Sequence, residues 1–302
     1  MERSIKLLMD KYGIKPSKSL GQNFLMDKEI QAKIVNACNI KKDDLVIEVG
    51  AGMGAISCEL AARAGKLAAI EIDRHLLPAL QEALKQYNNV EIIHGDILKL
   101  NLKDDIIYKA YRTGLTGGQE FKPARIIAVG NLPYYVTTPI VEKLLEEENI
   151  DEIIIMVQKE AAERILAKPG AKNYGLLSLM AKYYSKAEIL FNVPPGCFFP
   201  KPNVYSSVVK MSRNKTPPVH LLNKELFFKI IKSSFGQRRK TLFNALYNAN
   251  LVPLSKEEIK AVLKETGIDE NTRGEALSLE QFAQISNAFS EISERISSLH
   301  RQ

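Results

Sequence analysis

Five short apolar runs, alternating with helical patterns, leave this chain of 302 residues few folds to choose from. Leu45 to Val49, Leu67 to Glu71, Val90 to Ile93, Arg125 to Val129 and Ile153 to Val157 are rich in aliphatic and β-branched residues, as strands buried on both faces are. Ile56 to Ala64, Leu76 to Tyr87 and Ile140 to Glu148 lie between them and space their apolar residues as helices do. Strand and helix in alternation build βαβ units and a mostly parallel sheet, so a Rossmann-like α/β fold is expected. Asp27 is placed to cap a further helix from near Lys28, ahead of the first strand.

After Pro194-Pro195 the pattern changes. Val204 to Met211 reads as a last strand, and Pro217-Pro218 marks a linker into helical stretches at Leu226 to Ser233, Lys240 to Ala249, Lys256 to Thr266 and Leu279 to Leu299. Two domains follow: an α/β domain over 1–213 and a small all-helical domain over 214–302.

The apolar stretches reach about five residues, against the roughly 18 to 20 that a membrane-spanning helix needs. Met1-Glu2-Arg3-Ser4 leads into no apolar segment of a secretory signal, so a cytoplasmic protein with no membrane partner is expected. Cys38, Cys58 and Cys197 fall at no metal-like or redox-like spacing, and the four histidines form no ligand pattern; no metal is expected. The net charge is +7, and its distribution is uneven. Residues 201 to 240 carry seven Lys and three Arg against the single acid Glu225. Within that run, Arg238, Arg239 and Lys240 stand between the apolar anchors Phe235 and Leu242, a pattern suited to holding phosphates; Lys201 opens the run.

Each early strand ends in a chemically loaded turn. Gly50-Ala51-Gly52-Met53-Gly54 follows the first, Glu71-Ile72-Asp73 the second, Gly95-Asp96-Ile97 the third and Asn131-Leu132-Pro133-Tyr134 the fourth. The carboxyl ends of parallel strands face one crevice, so these turns converge on one ligand. Gly50, Gly52 and Ala55 with Glu71 also satisfy a loose dinucleotide pattern, and a nicotinamide dehydrogenase is one reading of them. S-Adenosylmethionine is the other: it carries no pyrophosphate, and needs a glycine turn, an acid for its ribose and a polar group for its adenine, roles open to Glu71 and Asp96. The fourth turn separates the two. Adenine N6 is a poor nucleophile because its lone pair is delocalised into the ring. The Asn131 side-chain oxygen and the Leu132 carbonyl could accept from that amine, with Pro133 fixing the backbone and Tyr134 stacking on the base.

On these segments the chain closely resembles the ribosomal RNA adenine dimethyltransferases of the KsgA/Dim1 type, over nearly its whole length. Gly21-Gln22-Asn23-Phe24-Leu25 is similar to the family's amino-terminal cofactor motif, which implies that Asn23 and Leu25 touch the cofactor together with Gly50, Gly52, Glu71, Asp96, Ile97 and Asn131. Val193 to Pro202 resembles the target-base loop and implies that Phe198 faces Tyr134 across the adenine. Asn203-Val204-Tyr205-Ser206 departs from the family's usual Lys-Val-Asp-Ser. The resemblance implies a Rossmann-like S-adenosylmethionine-dependent methyltransferase. It also implies a substrate, two adjacent adenines in the 3′-terminal hairpin loop of small-subunit ribosomal RNA, with the immature small ribosomal subunit as partner. The alternatives are an Erm-like enzyme acting on large-subunit RNA, and a ribosome-assembly factor whose binding matters more than its chemistry.

Overall fold

The computed structural model describes residues 8–112, 121–236 and 240–299. Its strands are β1 (Phe24–Leu25), β2 (Asp44–Val49), β3 (Lys66–Glu71), β4 (Val90–His94), β5 (Arg125–Asn131), β6 (Glu152–Gln158), β7 (Ser185–Val193), β8 (Phe198–Phe199) and β9 (Ser206–Arg213). The helices are α1 (Lys28–Ala37), α2 (Ser57–Arg63), α3 (Leu77–Leu84), α4 (Tyr108–Arg112), α5 (Thr137–Glu146), α6 (Lys159–Ile165), α7 (Leu176–Tyr184), α8 (Lys224–Gly236), α9 (Leu242–Ala249), α10 (Lys256–Glu265) and α11 (Leu279–Leu299).

Among the described residues one large sheet has the order β4-β3-β2-β5-β6-β9-β7, parallel from β4 to β6 and closed by two antiparallel strands. β2 and β3 are buried at every position, as helices on both faces require. The strand order reverses between β2 and β5, which opens the crevice at their carboxyl ends. β7 differs in character: it is an edge strand, mostly half-exposed, with Lys186 and Glu188 on it, so no unbroken apolar run announces it. Asp27 does cap α1, accepting from the Glu29 and Ile30 N–H groups.

Two contacts set β5 against β2. At one end Arg125 grips the fully buried Asp44 with a two-pronged hydrogen bond, Nε to Oδ1 at 3.2 Å and Nη2 to Oδ2 at 2.7 Å. At the other end Gly130 pairs with Val49, and a Cβ on Gly130 would stand 2.4 Å from the Val49 carbonyl oxygen.

The chain divides into two compact units. The first joins residues up to Ala162 with Ser185–Arg213; the second joins Glu163–Tyr184 with the chain from Asn214 onward. The segment 163–184, expected in the α/β domain, therefore belongs with the helices. Its side chains explain why: Tyr174 Oη donates to Leu277 O at 2.8 Å, Lys182 pairs with Glu280 at 2.9 Å, and Tyr183 meets Phe228 edge-on with centroids 5.3 Å apart. Within the second unit Phe227 and Phe282 are fully buried.

A methyl group at position 130 has nowhere to go except into the β2 backbone. Gly130→Ala is expected to destabilise the fold by about 1–3 kcal/mol, as forced overpacking does, read as a lowered midpoint in urea unfolding with an unchanged slope.

Candidate active site

The carboxyl ends of β2, β3 and β5 and the amino-terminal segment 21–26 enclose a cavity of about 460 Å³, within the roughly 300–1,000 Å³ usual for small-ligand sites. The glycine loop after β2 forms its floor. Gly50 and Gly52 have φ of +76° and +61°, a left-handed backbone that suits glycine, and a Cβ on Gly52 would touch the Phe24 ring at 3.7 Å. The loop is tied to β3 twice: Gly50 and Ala51 N–H both donate to Ile70 O, and Gly52 N–H donates to Glu71 Oε2 at 2.7 Å.

Glu71 does two jobs with its buried carboxylate, since Oε1 also accepts from Asp73 N–H at 2.8 Å. Burial raises its affinity for a proton, and these backbone donors oppose the rise. Each carboxylate oxygen has a second lone pair, which leaves capacity for a ligand hydroxyl. Asp73 in turn accepts from Gln22 Nε2 at 2.7 Å, fastening the amino-terminal segment over the site.

At the end of β5, Asn131 Nδ2 donates to Asn23 O at 2.9 Å, which fixes the amide so that its nitrogen is occupied. Among the described residues Asn131 Oδ1 accepts no hydrogen bond, and neither does the Leu132 carbonyl, although Leu132 N–H donates to Met156 O at 3.0 Å. Pro133 O accepts from Thr137 Oγ1 at 3.0 Å and so holds the turn onto α5. Tyr134 Oη lies 3.1 Å from Ser206 Oγ, and the half-buried Tyr134 ring lines the cavity.

Asn23, Leu25, Gly50, Gly52, Glu71 and Asn131 all line this one cavity, as do Leu132, Pro133 and Tyr134. Asp96 and Ile97 do not line it. They lie one strand further out, where Gly95 N–H donates to Glu71 O and Asp96 Oδ1 is taken up by its own turn through Leu98 N–H at 3.0 Å. Phe198 does not line it either. It is only 4% exposed and packs in the core with Leu25, Val193 and Val208, because β8 pairs with β1 so that Phe198 turns inward and its neighbour Phe199 outward. Arg238 and Arg239 lie outside the described residues, while Lys201 and Lys240 are exposed.

Glu48 belongs to none of the turns that the sequence patterns single out. It lies within β2, lines the cavity, is 2% exposed, and its Oε2 has no hydrogen-bond partner among the described residues. An acid inside the apolar run Leu45 to Val49 is the signal that could have found it. Burial, reinforced by the nearby Glu71 charge, pushes its carboxyl from 4.5 up to about 8. Lys28 is the single cation among the residues lining the cavity, so it is ill-matched to a dinucleotide pyrophosphate, whereas a cationic donor such as S-adenosylmethionine would favour the ionised forms of Glu71 and Glu48. Glu71, Asn23, Gly50 and Gly52 all face this cavity.

The ribosomal RNA adenine dimethylase family model matches residues 13–291. The ribosomal RNA small subunit methyltransferase A of Alkaliphilus metalliredigens (strain QYMF) is 47% identical over 279 residues, 92% of this chain and 93% of the relative. A crystal structure of a dimethyladenosine transferase from Plasmodium falciparum superposes with a TM-score of 0.71 at 25% identity, covering 89% of this chain and 98% of that one. The 23S rRNA methyltransferase ErmE, at 23% identity and a TM-score of 0.61 over 89% of this chain and all of that one, shares the fold.

A carboxyl that stays protonated in the folded protein but ionises in the unfolded chain weakens folding as pH rises. For Glu48 this penalty is absent below about 4.5, grows through the interval and is complete near about 8. Glu48→Gln is therefore expected to gain stability over the parent progressively across that interval, with a constant gap above it. Thermal midpoints of the two proteins, measured without ligand from about pH 5 to about pH 9, check this; parallel profiles would refute it.

Proposed function

The chain belongs to the ribosomal RNA adenine dimethylase family, and from that premise we propose that its targets are two adjacent adenines in the 3′-terminal hairpin loop of small-subunit ribosomal RNA. The enzyme is an S-adenosyl-L-methionine-dependent rRNA adenine dimethyltransferase, and its sheet is the Rossmann-like methyltransferase fold. When bound, the donor supplies an electrophilic methyl group on a sulfonium.

The observation that carries the reading is the pair of unspent acceptors on adjacent residues at the end of β5, Asn131 Oδ1 and Leu132 O. An exocyclic amine with two hydrogens can donate one to each. That draws the nitrogen toward a tetrahedral geometry and frees its lone pair for attack. Because Asn131 Nδ2 is committed to Asn23 O, the amide cannot turn over and offer a donor instead. Tyr134, held through its hydroxyl at Ser206, presents a ring on which the base can stack. A second transfer is compatible with the same acceptors, since a monomethylated amine keeps one hydrogen and a dimethylated amine keeps none. The proton released on methylation can pass to water.

Loop adenines fit this site because unpaired bases can be splayed out of an RNA hairpin, whereas duplex is held by shape and phosphate. Lys201 and Lys240 are exposed and available for phosphates. The immature small subunit as partner, and the cytoplasm as location, follow from this substrate. Among the described residues no helix is long and apolar enough to cross a membrane.

Labelled-methyl transfer to undermodified small subunits, with large subunits and DNA as controls, tests the substrate; signal on large subunits alone would overturn it. Asn131→Ala is expected to lower turnover by about 100-fold or more, the scale of losing one preorganised hydrogen-bonding group, while circular dichroism and thermal midpoint stay at the parent values. Near-normal turnover would remove Asn131 from the chemistry.

A further inference from the structure

Of the four exposed aromatic side chains among the described residues of the first unit, three besides Tyr108 gather toward one end of its sheet. Tyr135 is 59% exposed, Tyr205 53% and Phe199 38%. All three belong to segments that reach the catalytic end of the sheet. Tyr135 follows Tyr134 directly, and its ring covers Gly21, standing 3.2 Å from where a Cβ would be. Phe199 pairs in β8 with Phe24, whose ring lines the cavity against Gly52.

Tyr205 reaches the same end by a different path. β9 runs antiparallel to β6, so its first residue, Ser206, lies beside Gln158, the last residue of β6. β6 is parallel to β5, which puts that pair at the end of the sheet where Asn131 lies. The Tyr205 carbonyl accepts from Lys159 N–H at 3.0 Å, and the next residue's hydroxyl touches Tyr134. The Ser206 side chain is fully buried while Tyr205 is open to solvent.

Two exposed cations lie close along the chain to these rings, with the acid Glu160 beside one of them. From Phe198 to Lys210 the sequence has no acid, Lys201 is exposed two positions after Phe199, and the exposed Lys159 is bonded through its backbone to Tyr205. Exposed aromatic faces interleaved with cations are what unpaired nucleic acid needs, since every base has a face to stack and every link carries a phosphate.

We propose that Tyr205, with Tyr135 and Phe199, forms a stacking rim at the mouth of the cavity that holds the unpaired bases flanking the target adenine. The proposal rests on the RNA reading above and adds residues that touch neighbouring nucleotides. They position the RNA and are no part of the methyl transfer itself. Their effect therefore falls on RNA affinity and leaves the donor site alone.

The test uses the full chain and an RNA hairpin with the small-subunit loop sequence, carrying the fluorescent base 2-aminopurine next to the target adenine. Stacking on a tyrosine ring quenches that fluorescence. Tyr205→Ala is expected to weaken hairpin binding about tenfold, the scale of one lost base–aromatic stack, and to relieve part of the quenching. Tyr205→Phe keeps the ring and is expected to retain both. S-Adenosylhomocysteine affinity, measured by calorimetry, should be the same in all three proteins and shows that the variants are folded. Parent-like binding and quenching in Tyr205→Ala overturn the rim. So does a loss seen only with intact subunits and not with the naked hairpin, which would mean that a protein covers the ring. If the parent neither binds nor methylates the small-subunit hairpin, the substrate reading fails instead.

Discussion

The distance between β2 and β5 governs the site. Gly50 follows one strand and Asn131 ends the other, and a Cβ on Gly50 would lie 3.6 Å from Asn131 O, ordinary contact between the glycine loop and the turn after β5. That spacing is enforced from both ends of the strand pair. The Arg125 fork onto Asp44 locks the register where the strands begin, and Gly130 against Val49 sets the closest approach where they end. A shift of register by one residue would turn Asn131 to the opposite face of the sheet. Asp44 is fully buried, so removing Arg125 would strand a charge, which is far costlier than losing an exposed pair.

The electrostatics of the cavity follow from what the backbone leaves unspent. Glu71 spends one lone pair of each oxygen on loop N–H groups, so its charge both shapes the glycine turn and faces the cavity. Glu48 spends nothing on a partner through Oε2 and lies in the same enclosure. Two acids at close quarters in a buried space repel each other and favour a proton on one of them. Such a site has a deficit of positive charge, and a cationic ligand that binds only the folded chain stabilises it by mass action. The arrangement trades some stability of the free protein for affinity toward a charged donor.

How much of this could be read from the residues depended on whether the signal was local. β2, β3, β5 and β6 were legible because burial leaves an unbroken apolar run, β4 because its β-branched Val90, Ile92 and Ile93 mark it although it is a half-exposed edge strand, and α1 because Asp27 is a cap with a local mechanism. β7 was not, because an edge strand half open to solvent has no such run. Segment 163–184 was misplaced because its allegiance is decided by Tyr174, Lys182 and Tyr183 meeting residues distant in sequence. The adjacent pair Phe198-Phe199 shows the same limit at the site: which ring turns inward depends on the pairing of β8 with β1, more than 170 positions away. Glycine turns, Glu71 and Asn131 carried their roles in residue type alone. Gln22 did not, since its partner Asp73 is reached only through the fold.

Charge counted along a sequence also overstates what a surface can offer. Within the basic run from Lys201 to Lys240, Lys210 is paired with Glu152 at 3.2 Å, and Lys229 with Glu225 one helical turn away. Arg213 is spent on the Ile150, Leu145 and Glu147 carbonyls, where it ties the end of β9 to the end of α5. These cations hold the protein together and cannot also release counterions from a phosphate backbone, so the salt dependence of RNA binding should reflect fewer charges than the run contains. With fewer phosphate contacts to set register, more of the positioning of a flipped adenine falls to the faces of bases and rings.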